Sequence, residues 1–210
     1  PFEVRHRGSK YPIFSFDFTG AKRGVLPASY DYLRLEGRMQ YRLNLPPIGY
    51  SQLMLEGGKI FGKVPYLLLK LHEGNGTYFY DRYAFSCMNF YEFSSDAWIS
   101  FFYEHHFNGF LLGRVPLLKK LNWREVFVFK GVYGTLSARN DGSLPNTKAV
   151  MLFPVGMSSV EHPYLETGFG IENIFRLLRV DCIWRLTHHR AVPGLSIPTF
   201  TVNFSLNLKF

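Results

Sequence analysis

The sequence predicts an all-β protein: an antiparallel transmembrane β-barrel, eight strands of which lie in this chain. Three observations predict it. Apolar and polar residues alternate without a break over the last eleven residues, 200–210, as they do on a strand with two different faces. The connections between predicted strands alternate between short and long, as in bacterial membrane barrels. Aromatic residues make up 18% of the chain, which suits the aromatic girdles of such barrels.

The first two predicted strands show the alternation clearly. Over 14–19, three phenylalanines face one way while Ser, Asp and Thr face the other. Over 33–45, one face is apolar, and the other carries Arg34, Glu36, Arg38, Gln40, Arg42 and Asn44. A soluble sandwich also alternates, but a long strand with a continuous row of large polar residues better fits a lipid-facing outside and a wet, charged lumen.

The other strands follow in order. The Pro-Pro-Ile-Gly sequence at 46–49 predicts a tight turn. Predicted strands occupy 50–62, 98–108, 123–136, 165–175, 178–186 and 200–210. Long connections are predicted at 22–30, 63–93, 137–163 and 187–198, and shorter ones at 46–49, 110–121 and 176–177. Because short turns lie on the periplasmic side of bacterial barrels, the C-terminus is expected there as well.

The size of the barrel is a separate question. Eight strands can close a small barrel that is filled by its own side chains. A loop of about 30 residues and many inward charges need more room, so we favour the C-terminal half of a barrel of about 16 strands. Residues 1–210 then form the C-terminal part of that barrel, and the loop at about 63–93 is expected inside the lumen. The chain begins at Pro1 without a leader, so we expect its N-terminal part to be absent.

Charged residues recur at the inward positions of the predicted strands: Arg34, Glu36, Arg38, Arg42, Glu56, Glu104, Arg179, Asp181 and Arg185. Two interpretations stay open. These residues either line a path for a solute or a polypeptide, or form a paired network that holds the barrel and its loop. The second is favoured because charges inside a barrel must be paired or hydrated.

Composition argues against several function classes. The net charge of +8 comes without a basic run or an RNA-binding motif, so no nucleic-acid partner is expected. The charge suits anionic outer-membrane lipid and lipopolysaccharide. Two cysteines make no disulfide framework, and adjacent histidines on a strand face opposite ways, so no metal site is predicted. Ser100 and Glu104 share a face with His106, but successive residues on one face of a strand lie about 6.6 Å apart, which is beyond direct hydrogen-bond reach. We therefore expect neither an enzyme nor a cofactor.

Particular segments resemble known barrels. The sequence GFGIE at 168–172, followed by a turn and LRVD at 178–181, looks like the penultimate hairpin of the bacterial surface antigen superfamily of outer-membrane assembly and translocation barrels. The strand WREVFVFKGVYG at 123–134 also resembles that superfamily. The segments at 80–93, 105–126 and 132–137 resemble an uncharacterised set of outer-membrane barrels that often carry an N-terminal carboxypeptidase-regulatory-like domain.

The resemblance implies a non-enzymatic protein of the bacterial outer membrane. It would work in the assembly or translocation of proteins or lipids, or as a scaffold in a complex with other envelope proteins. The last strand resembles the signal that the barrel-assembly machinery reads, with Phe204, Leu206, Leu208 and Phe210 as its residues. The alternative is a solute transporter, because PTFTVNF at 198–204 also resembles the end of TonB-dependent transporters, which have roughly 22 strands and an N-terminal plug.

The chain departs from the superfamily at the lumen loop. That loop usually carries an Arg-Gly-aromatic tip that pairs with an acidic residue of the inner wall. No such tip occurs between 63 and 93, and Lys130 stands where the acidic residue is expected. We therefore expect a reversed pair, in which Asp81 or Glu92 of the loop meets Lys130.

Overall fold

A computed structural model describes residues 11–24, 29–145, 151–190 and 196–206. Among these residues there are eleven strands, two short 3₁₀ turns at Tyr66–Leu68 and Leu112–Arg114, and one short helix, α1 (Pro116–Lys119). The strands are β1 (Ile13–Ala21), β2 (Tyr32–Asn44), β3 (Tyr50–Gly62), β4 (Lys70–Leu71), β5 (Phe93–Ser95), β6 (Ala97–His106), β7 (Arg124–Thr135), β8 (Ser158–Ser159), β9 (Tyr164–Ile174), β10 (Leu178–Arg185) and β11 (Phe200–Leu206). No helix of the described ranges is long and apolar enough to cross a membrane.

Eight strands form one antiparallel sheet in the order β1-β2-β3-β6-β7-β9-β10-β11. This confirms the predicted all-β class and the eight antiparallel strands, whose bounds fall within a few residues of the predicted ones. Strands β1 and β11 lie at opposite edges of the sheet and do not pair within the described residues. Within the described residues the sheet is therefore open and is not closed into an eight-stranded barrel.

The register places polar side chains on one face, called here the inner face. Residues that lie directly across from each other on neighbouring strands share a face. One inner row crosses six strands through Gln40, Met54, Phe102, Lys130, Glu166 and Arg185. The sequence alternation therefore carries from strand to strand and gathers the inward charges of distant segments on one surface.

The opposite face, called here the outer face, is apolar and exposed. One outer row reads Tyr41, Leu53, Tyr103, Phe129, Thr167, Trp184 and Phe200. Each of the eight strands exposes a large apolar side chain there: Phe16, Leu35, Phe61, Ile99, Tyr133, Phe169, Trp184 and Phe200. Phe16 is 82% exposed and Phe169 is 60% exposed, so neither is covered by another layer of the described chain.

Residues 63–93, called here the inner loop, lie against the inner face. An apolar layer joins loop and sheet, formed by Met54, Phe85, Met88, Phe93, Phe102, Val132, Val160 and Tyr164. Strands β4, β5 and β8 form a second, small sheet beside it. The sequence did not predict this sheet, because strands of two or three residues are too short to show an alternation.

The inner loop also reaches the edge of the last strand. The Phe204 N–H donates to the Tyr78 carbonyl at 2.7 Å, and the Tyr80 N–H donates to the Phe204 carbonyl at 2.8 Å. The middle of the β11 edge is therefore paired, although no neighbouring strand of the main sheet lies there. Backbone pairing of this kind reduces the tendency of an edge to bind another chain.

Candidate functional site

Glu104 is the centre of the largest cluster between the inner loop and the sheet. It stands at an inward position of β6 and is 2% exposed. Arg82 Nε donates to Oε2 at 2.8 Å, and Arg179 Nη2 donates to Oε1 at 3.2 Å. The Tyr80 hydroxyl donates to Oε1, and His106 Nε2 lies 3.3 Å from Oε2. Because Tyr80 and Arg82 belong to the inner loop, this one carboxylate fastens the loop to β6 and β10.

The Asp181 carboxylate adds a second negative charge to the cluster around Glu104. Arg179 donates to Asp181 from Nε to Oδ2 and from Nη2 to Oδ1, each at 2.8 Å. The Arg179 guanidinium also lies over the Tyr80 ring, 4.4 Å from its centroid. Two arginines, Arg82 and Arg179, thus face two carboxylates, Glu104 and Asp181. A buried pair of this kind is stable only when its remaining hydrogen-bonding capacity is satisfied.

Glu166 holds the middle of the inner loop through its backbone. Its two oxygens accept the Ser86 N–H at 2.8 Å and the Cys87 N–H at 2.7 Å. The Tyr164 hydroxyl donates to Oε1 at 2.6 Å. The Cys87 thiol is fully buried, and burial raises its pKa from 9.0 to about 12. The thiol therefore stays protonated and unreactive at neutral pH.

The contacts of Lys130 differ from the predicted reversed pair with the carboxylate of Asp81 or Glu92. Its Nζ donates to the Asp81 carbonyl at 2.8 Å and to the Ala84 carbonyl at 2.6 Å. The Asp81 carboxylate instead accepts the N–H of Tyr83 at 2.8 Å. Glu166 lies directly across from Lys130 on β9 and supplies the opposite charge, so the loop contributes backbone oxygens rather than a carboxylate.

Glu92 of the inner loop pairs with Arg185 instead. Arg185 Nη2 donates to Glu92 Oε1 at 2.6 Å, and both side chains are buried. The same guanidinium donates to the carbonyls of Cys87 at 3.1 Å and His188 at 2.7 Å. Glu92 is thus a contact between loop and sheet, as expected, but its partner is on β10 rather than β7.

The remaining predicted charges lie near the other end of the sheet. Arg38 Nη2 lies 2.7 Å from Glu56 Oε2, and Lys70 Nζ lies 2.6 Å from Glu56 Oε1. Arg34 pairs with Glu36 at 2.6 Å. The exception is Arg42, whose guanidinium lies over the Tyr50 ring and makes no ion pair with the described residues.

Several contact residues were missed by sequence reasoning. Glu166 occupies an inward position of a predicted strand, so the alternation alone could have found it. Tyr80, Arg82 and Lys70 lie in irregular backbone or a two-residue strand, where no period marks the inward side chains. Of the predicted terminal signal, Phe204 and Leu206 lie on β11 and are exposed, while Leu208 and Phe210 fall outside the described residues.

Ion pairs and hydrogen bonds hold the inner loop on the inner face of the sheet. Carboxylates of the sheet bind the inner loop from β3, β6 and β9, and a carboxylate of the loop binds β10. Within the described ranges, no group of three or more His, Cys, Asp or Glu side chains is placed to hold a metal ion. His106 is hydrogen-bonded on both ring nitrogens, to Glu104 at 3.3 Å and to Glu172 at 3.1 Å. The expectation that Glu104 lies beyond hydrogen-bond reach of His106 was therefore wrong, because both side chains extend along the strand toward each other.

Comparison with family models gives a match over most of the chain. A family model described as the C-terminal domain of a family of unknown function (DUF5686) matches residues 3–138. The match includes β1 to β7 and the inner loop, and it ends before Glu166, Arg179 and Arg185. A search of curated proteins found no match.

Proposed function

Because the chain belongs to this family of unknown function (DUF5686), whose description carries no activity, we propose a function from the geometry. The chain is the C-terminal half of an outer-membrane β-barrel of about 16 strands. It has no enzymatic activity, and the inner loop occupies the lumen. It works in the assembly or translocation of proteins or lipids, or as a scaffold within an envelope complex.

This proposal rests on the polarity of the two faces of the sheet, which is the reverse of that in a soluble protein. A sheet of a soluble protein buries its apolar face and leaves its polar face in water. Here the charged inner face is buried on β3, β6, β7, β9 and β10, and large apolar side chains are exposed on all eight strands of the outer face. Leaving one such side chain in water rather than burying it costs about 1.5–3 kcal/mol. A contiguous apolar surface of this size suits lipid, which covers the outside of a membrane barrel.

The inner loop favours an assembly or scaffold role over an open conduit. Buried ion pairs at Glu104 and Arg185 and the buried Glu166 carboxylate hold the loop on the inner face. A solute path along this face would require the loop to leave and those charges to lose their partners. The partners that fit the proposal are outer-membrane lipid and lipopolysaccharide, the barrel-assembly machinery, and other envelope proteins.

The test is a cryo-EM map of the full-length protein purified from outer membranes, in which strands are counted and residues 63–93 are located. About 16 strands with the inner loop inside the lumen would support the proposal. Roughly 22 strands with an N-terminal plug would overturn it in favour of a TonB-dependent type of transporter. Recovery of the protein outside the outer-membrane fraction would overturn the barrel assignment itself.

A further inference from the structure

A polar cavity of about 670 Å³ lies at the end of the sheet where the short turns are. Its lining includes residues of the turns after β2 and β9 and the end of β11. Five arginines line it: Arg42, Arg82, Arg124, Arg176 and Arg179. One carboxylate, Glu172, lines it with them. The cavity is therefore strongly basic, unlike the balanced clusters that hold the inner loop.

Only part of this positive charge is neutralised. Arg82 and Arg179 are paired with Glu104 and Asp181. Glu172 lies across from Arg124 in the register and is hydrogen-bonded to His106. Arg42 and Arg176 of the lining make no ion pair with the described residues, and both are exposed. A local excess of positive charge of this kind attracts an anion.

The Arg42 guanidinium stacks on an aromatic ring and makes no hydrogen bond to the residues that the structure describes. It lies 3.9 Å from the centroid of the Tyr50 ring. The Tyr50 ring also stacks on the His106 ring, with 4.5 Å between the ring centroids and 11° between the ring planes. A guanidinium that stacks through its face keeps its N–H groups at the edge available. Arg42 is thus preorganised to donate to a ligand in the cavity.

Arg176 approaches the cavity from a rigid turn. It lies between β9 and β10, and its backbone is in the left-handed region with φ of 66°. Arg176 is exposed and makes no ion pair with the residues that the structure describes. Arginines from separate elements therefore face one space, with donors that planar oxyanions can bridge.

We propose that this cavity binds a phosphate-bearing ligand. A phosphate monoester carries up to two negative charges and three acceptor oxygens near neutral pH, which matches the excess charge and the unused donors better than one carboxylate does. The monoester belongs either to a lipid headgroup or to a soluble phosphorylated molecule. That the cavity opens toward the periplasm rests on the proposed function, whereas phosphate binding does not.

The experiment uses the full-length protein in detergent micelles and isothermal titration calorimetry. Pyrophosphate is the soluble probe, citrate is a carboxylate probe of similar charge, and monomeric short-chain phosphatidic acid, a phosphate monoester, is the lipid probe. We expect saturable binding of pyrophosphate and at least tenfold weaker binding of citrate. Tighter binding of phosphatidic acid than of pyrophosphate assigns the phosphate to a lipid, and the reverse order assigns it to a soluble molecule.

Paired double variants locate the site. Arg42→Gln with Arg176→Asn removes two charges from the cavity, and Asn suits the left-handed backbone at that turn. Arg114→Gln with Lys120→Gln removes two charges from the nearby connection, outside the cavity lining. We expect the first pair to weaken pyrophosphate binding by about tenfold or more, because bonds to charged donors are the strong ones. The second pair should change the affinity less than twofold.

Three results would overturn the assignment: no saturable binding of either phosphate probe, citrate binding as tightly as pyrophosphate, or equal losses in the two double variants. If the cavity double variant does not fold, the single variant Arg176→Asn replaces it, and we expect this variant to bind pyrophosphate at least threefold more weakly. Localisation is scored separately. A protein that binds pyrophosphate at this cavity but is not in the outer membrane refutes the proposed function and leaves the ligand assignment intact.

Discussion

Glu104 of β6 binds side chains of the inner loop and of β10, so we expect its substitution to lower the stability of the protein strongly. Replacing Glu104 with Gln keeps the shape of the side chain but removes the charge that faces Arg82 and Arg179. Removing one partner of a buried ion pair costs about 3–5 kcal/mol. We therefore expect Glu104→Gln to lower the free energy of unfolding by about 3 kcal/mol, measured by urea unfolding of the protein in lipid vesicles.

The matched control is Glu73→Gln in the inner loop. The Glu73 side chain is 64% exposed and lies 3.8 Å from Lys70 Nζ. An exposed pair of this kind contributes about 0–1 kcal/mol. Equal effects of the two substitutions would contradict the view that burial at Glu104 fastens the loop.

His72 provides a pH-dependent readout of the inner loop. It is 3% exposed, and its Nε2 lies 2.9 Å from the Ser95 hydroxyl oxygen. Burial lowers its pKa from 6.5 to about 3, so the unfolded chain binds a proton that the folded one does not. Stability from this group is present above pH 6.5 and declines as the pH falls toward 3, by about 1.4 kcal/mol per pH unit.

The measurement is the free energy of unfolding of the natural chain between pH 7 and pH 4, compared with a His72→Asn variant. We expect the natural chain to lose more stability on acidification, because the variant lacks the group that takes up the proton. Parallel pH profiles for the two proteins would show that His72 does not stay neutral and buried.

The sequence allowed the inward charges to be predicted but not their partners. Alternation identifies the face of a side chain on a regular strand, so nine inward charges could be named. The partner of Lys130 could not be predicted, because it depends on the register between β7 and β9 and on the path of an irregular loop. Glu166 and the backbone of the inner loop took the place expected for Asp81 or Glu92.

At the scale of elements, the inner loop is the feature to test. The Cys87 thiol reports on it, because its burial and raised pKa both depend on the loop staying on the sheet. Burial keeps the reagent away from the thiol, and the raised pKa disfavours the reactive thiolate. In a Cys182→Ser background, we expect maleimide to label Cys87 at least about tenfold more slowly in the folded protein than in urea, with mass spectrometry as the readout.

The control for this labelling is Cys182 in a Cys87→Ser background. Cys182 is half-buried on the outer face of β10, where the inner loop does not cover it. Its labelling by a membrane-permeant maleimide should change far less on unfolding. Rapid labelling of Cys87 in the folded protein would mean that the loop leaves the inner face on the timescale of the reaction.

Long elements were predictable and short ones were not. Strands of seven or more residues show enough of the period to be recognised. The small sheet of β4, β5 and β8 and the short helix α1 contain two to four residues each, and their existence depends on contacts with the main sheet. The length of the connection at 63–93 was visible in the sequence, but its position depends on side chains of β3, β6, β7, β9 and β10.

For the whole molecule, the polarity of the two faces was predictable, whereas closure of the sheet was not. The alternation fixes which side chains share a face, and the register extends that pattern across all eight strands. Among the described residues β1 has no second neighbour in the main sheet, and the middle of the β11 edge is paired with the inner loop. The strand number of the complete barrel therefore stays a prediction.

The environment of the outer face can be tested with one substitution at mid-strand. Phe169 lies in the middle of β9 on the outer face. A charged side chain on the lipid face costs about 2–4 kcal/mol at the bilayer midplane and about 0–1 kcal/mol near the interfaces. In water, replacing an exposed side chain changes stability by about 0.5 kcal/mol at most. We expect Phe169→Arg to lower the free energy of unfolding in lipid vesicles by about 2–4 kcal/mol.

The matched control is Phe175→Arg, because Phe175 is 86% exposed and lies in the turn between β9 and β10. In the proposed barrel this turn is at the membrane interface, so its substitution should cost about 0–1 kcal/mol. If both variants unfold at the urea concentration of the natural chain, the outer face does not contact hydrocarbon, and the inverted polarity must serve contact with another protein surface instead. A large loss at Phe169 alone places the middle of the sheet in the bilayer, since only depth in the membrane separates the two phenylalanines in this way.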